Sequence, residues 1–175
     1  MKLGKSIAIL AALGGAATAV LAVVAHAGGD KVAFPANIGA RYGDMDRANK
    51  QYVEFFISPP AALEAAKKGT ALPSGTVITM VQYATKRDAQ DNPEKDASGR
   101  YIKTNLTGYA VMEKRTGWGT EYPDAQRNGE WEYQAFKADK TPNTAANLTA
   151  CFNCHKPLPP GQDFVFTYDR LKAAR

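Results

Sequence analysis

The chain has 175 residues, a net charge of +5 and 45% hydrophobic residues. Its length is close to that of one globular domain, and its hydrophobic content is sufficient for a core. The positive excess is small and scattered, which excludes a nucleic-acid-binding protein of the strongly basic kind, so we expect no nucleic-acid partner.

Residues 1–27 have the pattern of a secretory signal peptide. Two lysines precede an uncharged apolar run, Ile7 to Val24, which ends in Ala25-His26-Ala27, the small-x-small pattern of a cleavage site. The alternative is an uncleaved membrane anchor, although many of its residues are alanine and glycine. Cleavage predicts a periplasmic domain comprising residues 28–175.

The first helix and four strands follow from local composition. Ser58 and Pro59 form a candidate N-cap and first turn, and Ala61 to Lys68 is helix sequence that ends at Gly69. Four segments rich in aromatic and β-branched residues predict strands: Gln51–Ile57, Thr76–Tyr83, Gly108–Lys114 and Trp131–Lys137.

The remaining segments complete the predicted fold. Asp88 to Gly99 is polar and rich in turn residues, so we expect a long mobile loop there. Thr141-Pro142-Asn143 predicts the start of a second helix that runs through Ala150 and leads to Cys151. The predicted class is α+β, with short helices packed on an antiparallel sheet.

The sequence C-F-N-C-H, from Cys151 to His155, has the spacing of a c-type haem attachment motif. Two thiols separated by two residues can each add to a vinyl group on one edge of the porphyrin, and the histidine that follows can ligate the iron. We therefore predict one covalent haem c held by Cys151 and Cys154, with His155 as its metal ligand.

Three other readings of this motif are weaker. A structural zinc site needs four Cys or His ligands, but beyond the signal segment the only candidates are Cys151, Cys154 and His155. A redox dithiol belongs at a helix N-terminus within a βαβ unit, unlike this late motif. A disulfide is chemically feasible in an exported protein, but it gives His155 no role.

The second axial ligand of the iron is left open by the sequence. With His26 removed, no second histidine is available, so the candidate donors are a lysine, a tyrosine or one of Met45, Met80 and Met112. Methionine ligation would give an electron-transfer cytochrome, whereas a vacant position would admit small molecules. Met80 also has an ordinary alternative role as a packing residue.

Two regions of the chain carry a family resemblance: V-E-F-F-I-S-P-P, K-K-G and G-T-V-I-T-M-V between Tyr52 and Tyr83, and C-F-N-C-H followed by D-F-V-F-T at Asp163 to Thr167. Together they resemble the cytochrome P460 family. The similarity extends from about Tyr52 to Leu171. It implies an antiparallel sheet carrying a haem, commonly in a homodimer, and it includes the related cytochrome c′-β.

One position departs from the hydroxylamine-oxidising members of this family, in which a strand lysine is cross-linked to the porphyrin. Here the resemblance places Met80 at that position, and Lys86 lies beyond the predicted strand. Strand alternation puts Ile78, Met80 and Gln82 on one face of the sheet. The registration therefore predicts that Met80 faces the haem.

Other candidate site residues have more than one reading. Seven strand aromatics can line a haem pocket or form the sheet core: Phe55, Phe56, Tyr83, Tyr109, Trp131, Tyr133 and Phe136. Hydroxylamine oxidation needs a base, and the candidate carboxylates, which also read as solvated surface, are Glu54, Glu113, Glu130 and Glu132. No catalytic residue is assigned from the sequence.

Three functions are compatible with these features. The first is an open iron that binds nitric oxide or another small diatomic or nitrogen-oxide ligand. The second is an oxidoreductase acting on hydroxylamine or a related nitrogen species, which the apparent loss of the cross-linking lysine disfavours. The third is an electron carrier with histidine and methionine ligands and a redox protein partner.

Overall fold

A computed structural model describes residues 28–174; the predicted signal peptide lies outside the described residues. The chain forms one five-stranded antiparallel sheet with strand order β1-β2-β3-β4-β5, so each strand pairs with its neighbours in the sequence. The strands are β1 (Ala40–Asp46), β2 (Tyr52–Ser58), β3 (Val77–Thr85), β4 (Lys103–Lys114) and β5 (Trp131–Lys137). This confirms the α+β class with short helices on an antiparallel sheet.

Three short helices and two 3₁₀ turns connect or follow the strands. The helices are α1 (Pro60–Lys67), α2 (Leu148–His155) and α3 (Tyr168–Ala173), and the turns are Asp124–Gln126 and Pro160–Gln162. Helix α1 packs on α3 and β2, α2 packs on β5, and α3 packs on β1. Within residues 28–174, the helices are all too short or too polar to cross a bilayer.

Side chains alternate between the two faces of the sheet, and each face has its own core. The motif face, defined here as the side that carries Ile57, Ile78, Met112 and Tyr133, packs against α1, α3 and the half-buried Cys151. The opposite face carries Val81, Tyr109, Val111 and Phe136. The strand alternation predicted for Ile78, Met80 and Gln82 agrees with this register.

The N-terminal segment covers the opposite face. Val32 is buried there, and Phe34 packs edge-on against Tyr109, with ring centroids 4.8 Å apart, and against Phe136, at 5.3 Å. Aromatic pairs in this arrangement stabilise a core beyond the area that they bury. The chain therefore closes this side of the sheet with its own residues.

Three local predictions need correction. Ser58 does not cap α1, because the N-cap position is Pro59, which makes no side-chain cap hydrogen bond. The helix predicted from Thr141 through Ala150 has the wrong bounds: α2 starts at Leu148, where Asn147 caps it by accepting a hydrogen bond from the Ala150 N–H, and it continues through the motif to His155. The first strand, β1, was not predicted.

The segment from Asp88 to Gly99 is a pair of tight turns. The Asp88 carboxylate accepts hydrogen bonds from the N–H groups of Gln90 and Asn92, and the Asp96 carboxylate accepts from those of Ser98 and Arg100. Aspartate side chains often fix turns in this way. The long mobile loop predicted from composition is therefore replaced by a hydrogen-bonded excursion between β3 and β4.

Candidate functional site

Helix α2 presents both thiols of the C-F-N-C-H motif. Cys151 and Cys154 are unpaired; Cys151 is half-buried and Cys154 is exposed. Residues three apart lie on the same side of a helix, so both thiols can reach one edge of a planar group. Burial raises the pKa of the Cys151 thiol, which therefore stays protonated at neutral pH.

His155 ends this helix with its ring fixed in one orientation. Its Nδ1 lies 2.6 Å from the carbonyl oxygen of Phe164, which can only accept, so Nδ1 carries the proton and Nε2 is left with a lone pair. Burial lowers the pKa of His155 and favours the neutral ring. A histidine held in this way is suited to ligate a metal through Nε2.

Two aromatic rings flank His155. Tyr133 of β5 lies 5.2 Å from it, and Phe166 lies 5.3 Å away on an edge-on approach. Phe166 is 53% exposed, and within residues 28–174 it is the one large hydrophobic side chain that is exposed to solvent. An exposed phenyl beside a candidate metal ligand indicates an apolar group that would cover both.

The sheet beside α2 offers a shallow apolar floor. Phe55, Met80, Ala110 and Ala135 occupy one row of the pairing register on the motif face. Phe55 is buried, while Met80 and the two alanines are half-buried. Small side chains at two adjacent positions leave room above the strands for a flat ligand.

These features fit a haem. Two thiols, one histidine with its outer nitrogen free and an uncovered apolar floor are the parts that a covalently bound macrocycle requires. Within residues 28–174, no cluster of three or more Cys, His, Asp or Glu side chains could hold a metal ion by itself. Cys151, Cys154 and His155 would hold the group, and Met80 lies on the face that it would contact.

The carboxylates of the strands lie on the other side of the sheet from this floor. The register places all five on the opposite face of the sheet: Asp44, Asp46, Glu54, Glu113 and Glu132. Glu54, for example, accepts hydrogen bonds from the Tyr83 hydroxyl and from Lys103. Three of the four candidate catalytic bases therefore lie away from the motif, and the fourth, Glu130, accepts from the Gly117 N–H.

The remaining candidates divide between the two faces. Phe55, Trp131 and Tyr133 are on the motif face, whereas Phe56, Tyr83, Tyr109 and Phe136 are on the other and cannot line the same pocket. Among the methionines, Met112 is buried in the core, while Met45 and Met80 are half-buried on the motif face.

Three supporting residues were not predicted from the sequence. The Phe164 carbonyl orients His155, and Asn128 ties α2 to β5 by donating to the Phe152 carbonyl and the Tyr133 hydroxyl at 3.0 and 2.9 Å. Asp163 accepts from Lys114 at 2.8 Å. The D-F-V-F-T segment was a signal for this region, but nothing in the sequence indicates Asn128.

Comparison with known proteins agrees with this site. The family model described as Cytochrome P460 matches residues 38–167, which is most of the chain. No curated protein sequence matches the chain. The family is one of haem cytochromes, which implies haem c with its iron as the cofactor. The chain therefore belongs to the cytochrome P460 family.

Proposed function

We propose that this cytochrome is exported and holds one covalent haem c with an open iron position that binds nitric oxide or another small neutral ligand. Cys151 and Cys154 would form the thioether bonds, and His155 would ligate the iron through Nε2. When bound, the haem iron would supply the coordination position for the diatomic.

The observation that carries this proposal is the uncharged floor. Within residues 28–174, the strands place the apolar floor on the motif face and all their carboxylates on the other, and the motif-face Lys114 is paired with Asp163 at 2.8 Å. Neutral diatomics lose little on desolvation, whereas a charged ligand loses much. A site lined by Phe55 and Met80 therefore favours small neutral ligands.

Hydroxylamine oxidation is the second candidate, and membership of the family supports it. The reaction needs a base to accept protons, and the strand carboxylates are on the wrong face for that role. Lys86, the nearest lysine after Met80, lies just beyond β3 and pairs with Glu94 at 2.7 Å. Both features weigh against a cross-linked catalytic haem.

Electron transfer with methionine as the second ligand is the third candidate. Met80 and Met45 are its two donors, because Met112 is buried in the core. Such a protein would need a redox protein partner. A homodimer also remains a proposal, which rests on the family resemblance.

The test is the spin state of the ferrous protein with and without Met80. We expect a five-coordinate spectrum, without the long-wavelength Soret band of a cross-linked haem, that Met80→Ala leaves unchanged. Carbon monoxide should bind without a slow ligand-release phase, and Met45→Ala, which removes the other candidate methionine, should leave the spectrum unchanged as well. A low-spin spectrum that becomes high-spin in either variant would instead establish methionine ligation and electron transfer.

A further inference from the structure

Glu132 of β5 is a buried carboxylate without an adequate partner. It is 2% exposed, and its Oε1 makes no hydrogen bond within the described part of the chain. Lys31 is the nearest cation, but its Nζ lies 3.7 Å from that oxygen and is in closer contact with Glu121. A buried charge left without a hydrogen-bonded partner destabilises the folded state.

Gly28 lies directly against this carboxylate. A Cβ built on Gly28 would clash with the Glu132 carboxyl group and would come within 2.8 Å of Oε1. The Gly28 backbone also forms a hydrogen bond with Tyr122. Gly28 has a φ of +51°, and it is buried. A side chain at this position would have to displace the Glu132 carboxyl group, so glycine lets the backbone lie directly against it.

The next residue fixes the segment in place. Gln134 donates to the Gly29 carbonyl at 2.6 Å, and a Cβ on Gly29 would clash with Leu148. The Lys31 N–H donates to the Gly28 carbonyl at 2.8 Å. The two glycines are therefore held against the edge strand β5 and α2.

The charges around this point are unbalanced. Glu132 interacts with one carboxylate, that of Asp30, and with one cation, Lys31, and Lys31 is itself paired with Glu121. One additional positive charge at the Gly28 nitrogen would balance Glu132. The sequence supplies one, because the predicted cleavage after Ala27 converts that nitrogen from an amide into an ammonium group.

We infer that Gly28 is the N-terminal residue of the mature protein and that its α-ammonium group is the ion-pair partner of Glu132. Processing thus supplies the charge that the folded domain lacks, since the uncut chain has only a neutral amide at this position. The inference rests on the proposed export. It makes removal of the signal peptide a step that stabilises the fold.

The first measurement is the intact mass of the exported haem protein. We expect a chain that begins at Gly28 and carries one haem. A mass that includes residues 1–27 would show that the proposed processing has failed, independently of haem binding. A mature chain that begins at any other residue would overturn the ion pair.

The second measurement displaces the ammonium. Insertion of Gly-Ser between Ala27 and Gly28 preserves the cleavage pattern but moves the charge two residues away. We expect the unfolding constant to rise about 100-fold in the parent protein and by less than about threefold in Glu132→Gln. Glu64→Gln, an exposed carboxylate on α1, is the matched control. Equal costs in both backgrounds would refute the pairing.

A third measurement does not depend on how well the variants fold. The α-amine of the exported parent protein, labelled by ¹³C reductive methylation, should titrate above its ordinary pKa of about 7.7–8.0. In Glu132→Gln it should return to that range. An ordinary value in the parent protein would overturn the inference.

Discussion

The two faces of the sheet differ in how they are completed. The opposite face holds every strand carboxylate and is closed by Val32 and Phe34 of the same chain. The motif face has no strand carboxylate within residues 28–174, and its floor at Met80, Ala110 and Ala135 is only half-covered. Strand alternation thus separates a face that the chain closes with its own residues from a face whose half-covered floor is the site that we propose for the haem.

The largest effect is expected when both thiols are removed from the motif face. We expect the parent protein to retain all its haem through acidified solvent extraction and Cys151→Ala/Cys154→Ala to retain none. Cys154→Ala alone should keep one thioether bond. Loss of all haem from the parent protein on extraction would contradict covalent attachment.

On the opposite face, the largest effect should be on stability alone. Phe136 is buried there against Phe34, so Phe136→Ala should lower the free energy of unfolding by about 3–5 kcal/mol. Urea denaturation measures this loss, and the haem spectrum should not change because the ring lies on the other side of the sheet. A shift in the spectrum would show that the two faces are not independent.

A smaller effect is expected when the floor is filled. Ala110→Leu adds a branched side chain between Met80 and Ala135, which should slow carbon monoxide association about tenfold. Stopped-flow mixing with the ferrous protein measures this rate. Ala61→Leu, at an exposed position of α1, is the control. Equal rates for both variants would mean that the floor does not line the ligand path.

The smallest expected effect is a change with pH in the stability cost of the Gly-Ser insertion, caused by the buried Glu132 on the opposite face. Where no ammonium group faces it, as in the Gly-Ser insertion variant, burial raises the pKa of Glu132, so the folded state holds this proton more tightly than the unfolded state does. The resulting stability is fully present below the unfolded pKa of about 4.3 and is lost as pH rises through the folded value. The Gly-Ser insertion variant should therefore approach the parent in thermal melts as pH falls from 7 towards 5. A constant difference would argue against Glu132 as its source.

Sequence patterns predicted the strands better than the site. Alternation and β-branched content located β2 to β5, because these signals are local, whereas the helix that contains the C-F-N-C-H motif was predicted to end before it. β1 was missed: its sequence, A-R-Y-G-D-M-D, is too polar and glycine-containing to resemble a strand, and it forms by pairing with β2.

The surroundings of the motif depend on contacts that are distant in sequence. Asn128 reaches Phe152, and the sheet register decides which aromatics and carboxylates share a face. Strand alternation correctly placed Met80 on the same face as Ile78 and Gln82. It could not show that Glu54, Glu113 and Glu132 all lie on the face opposite the motif. That separation depends on the pairing of several strands at once.

The path of the chain after His155 has a consequence for assembly. Residues 156–171 return from β5 to β1, where Tyr42 bonds Thr167 at 2.7 Å and α3 seals the motif-face core with Leu171. The segment that closes this core is thus synthesised after the attachment site. We expect haem insertion to precede closure, so the apoprotein should be cleaved by a protease near Phe166 while the loaded protein resists. Protease resistance of residues 156–171 would then report that the haem has been attached.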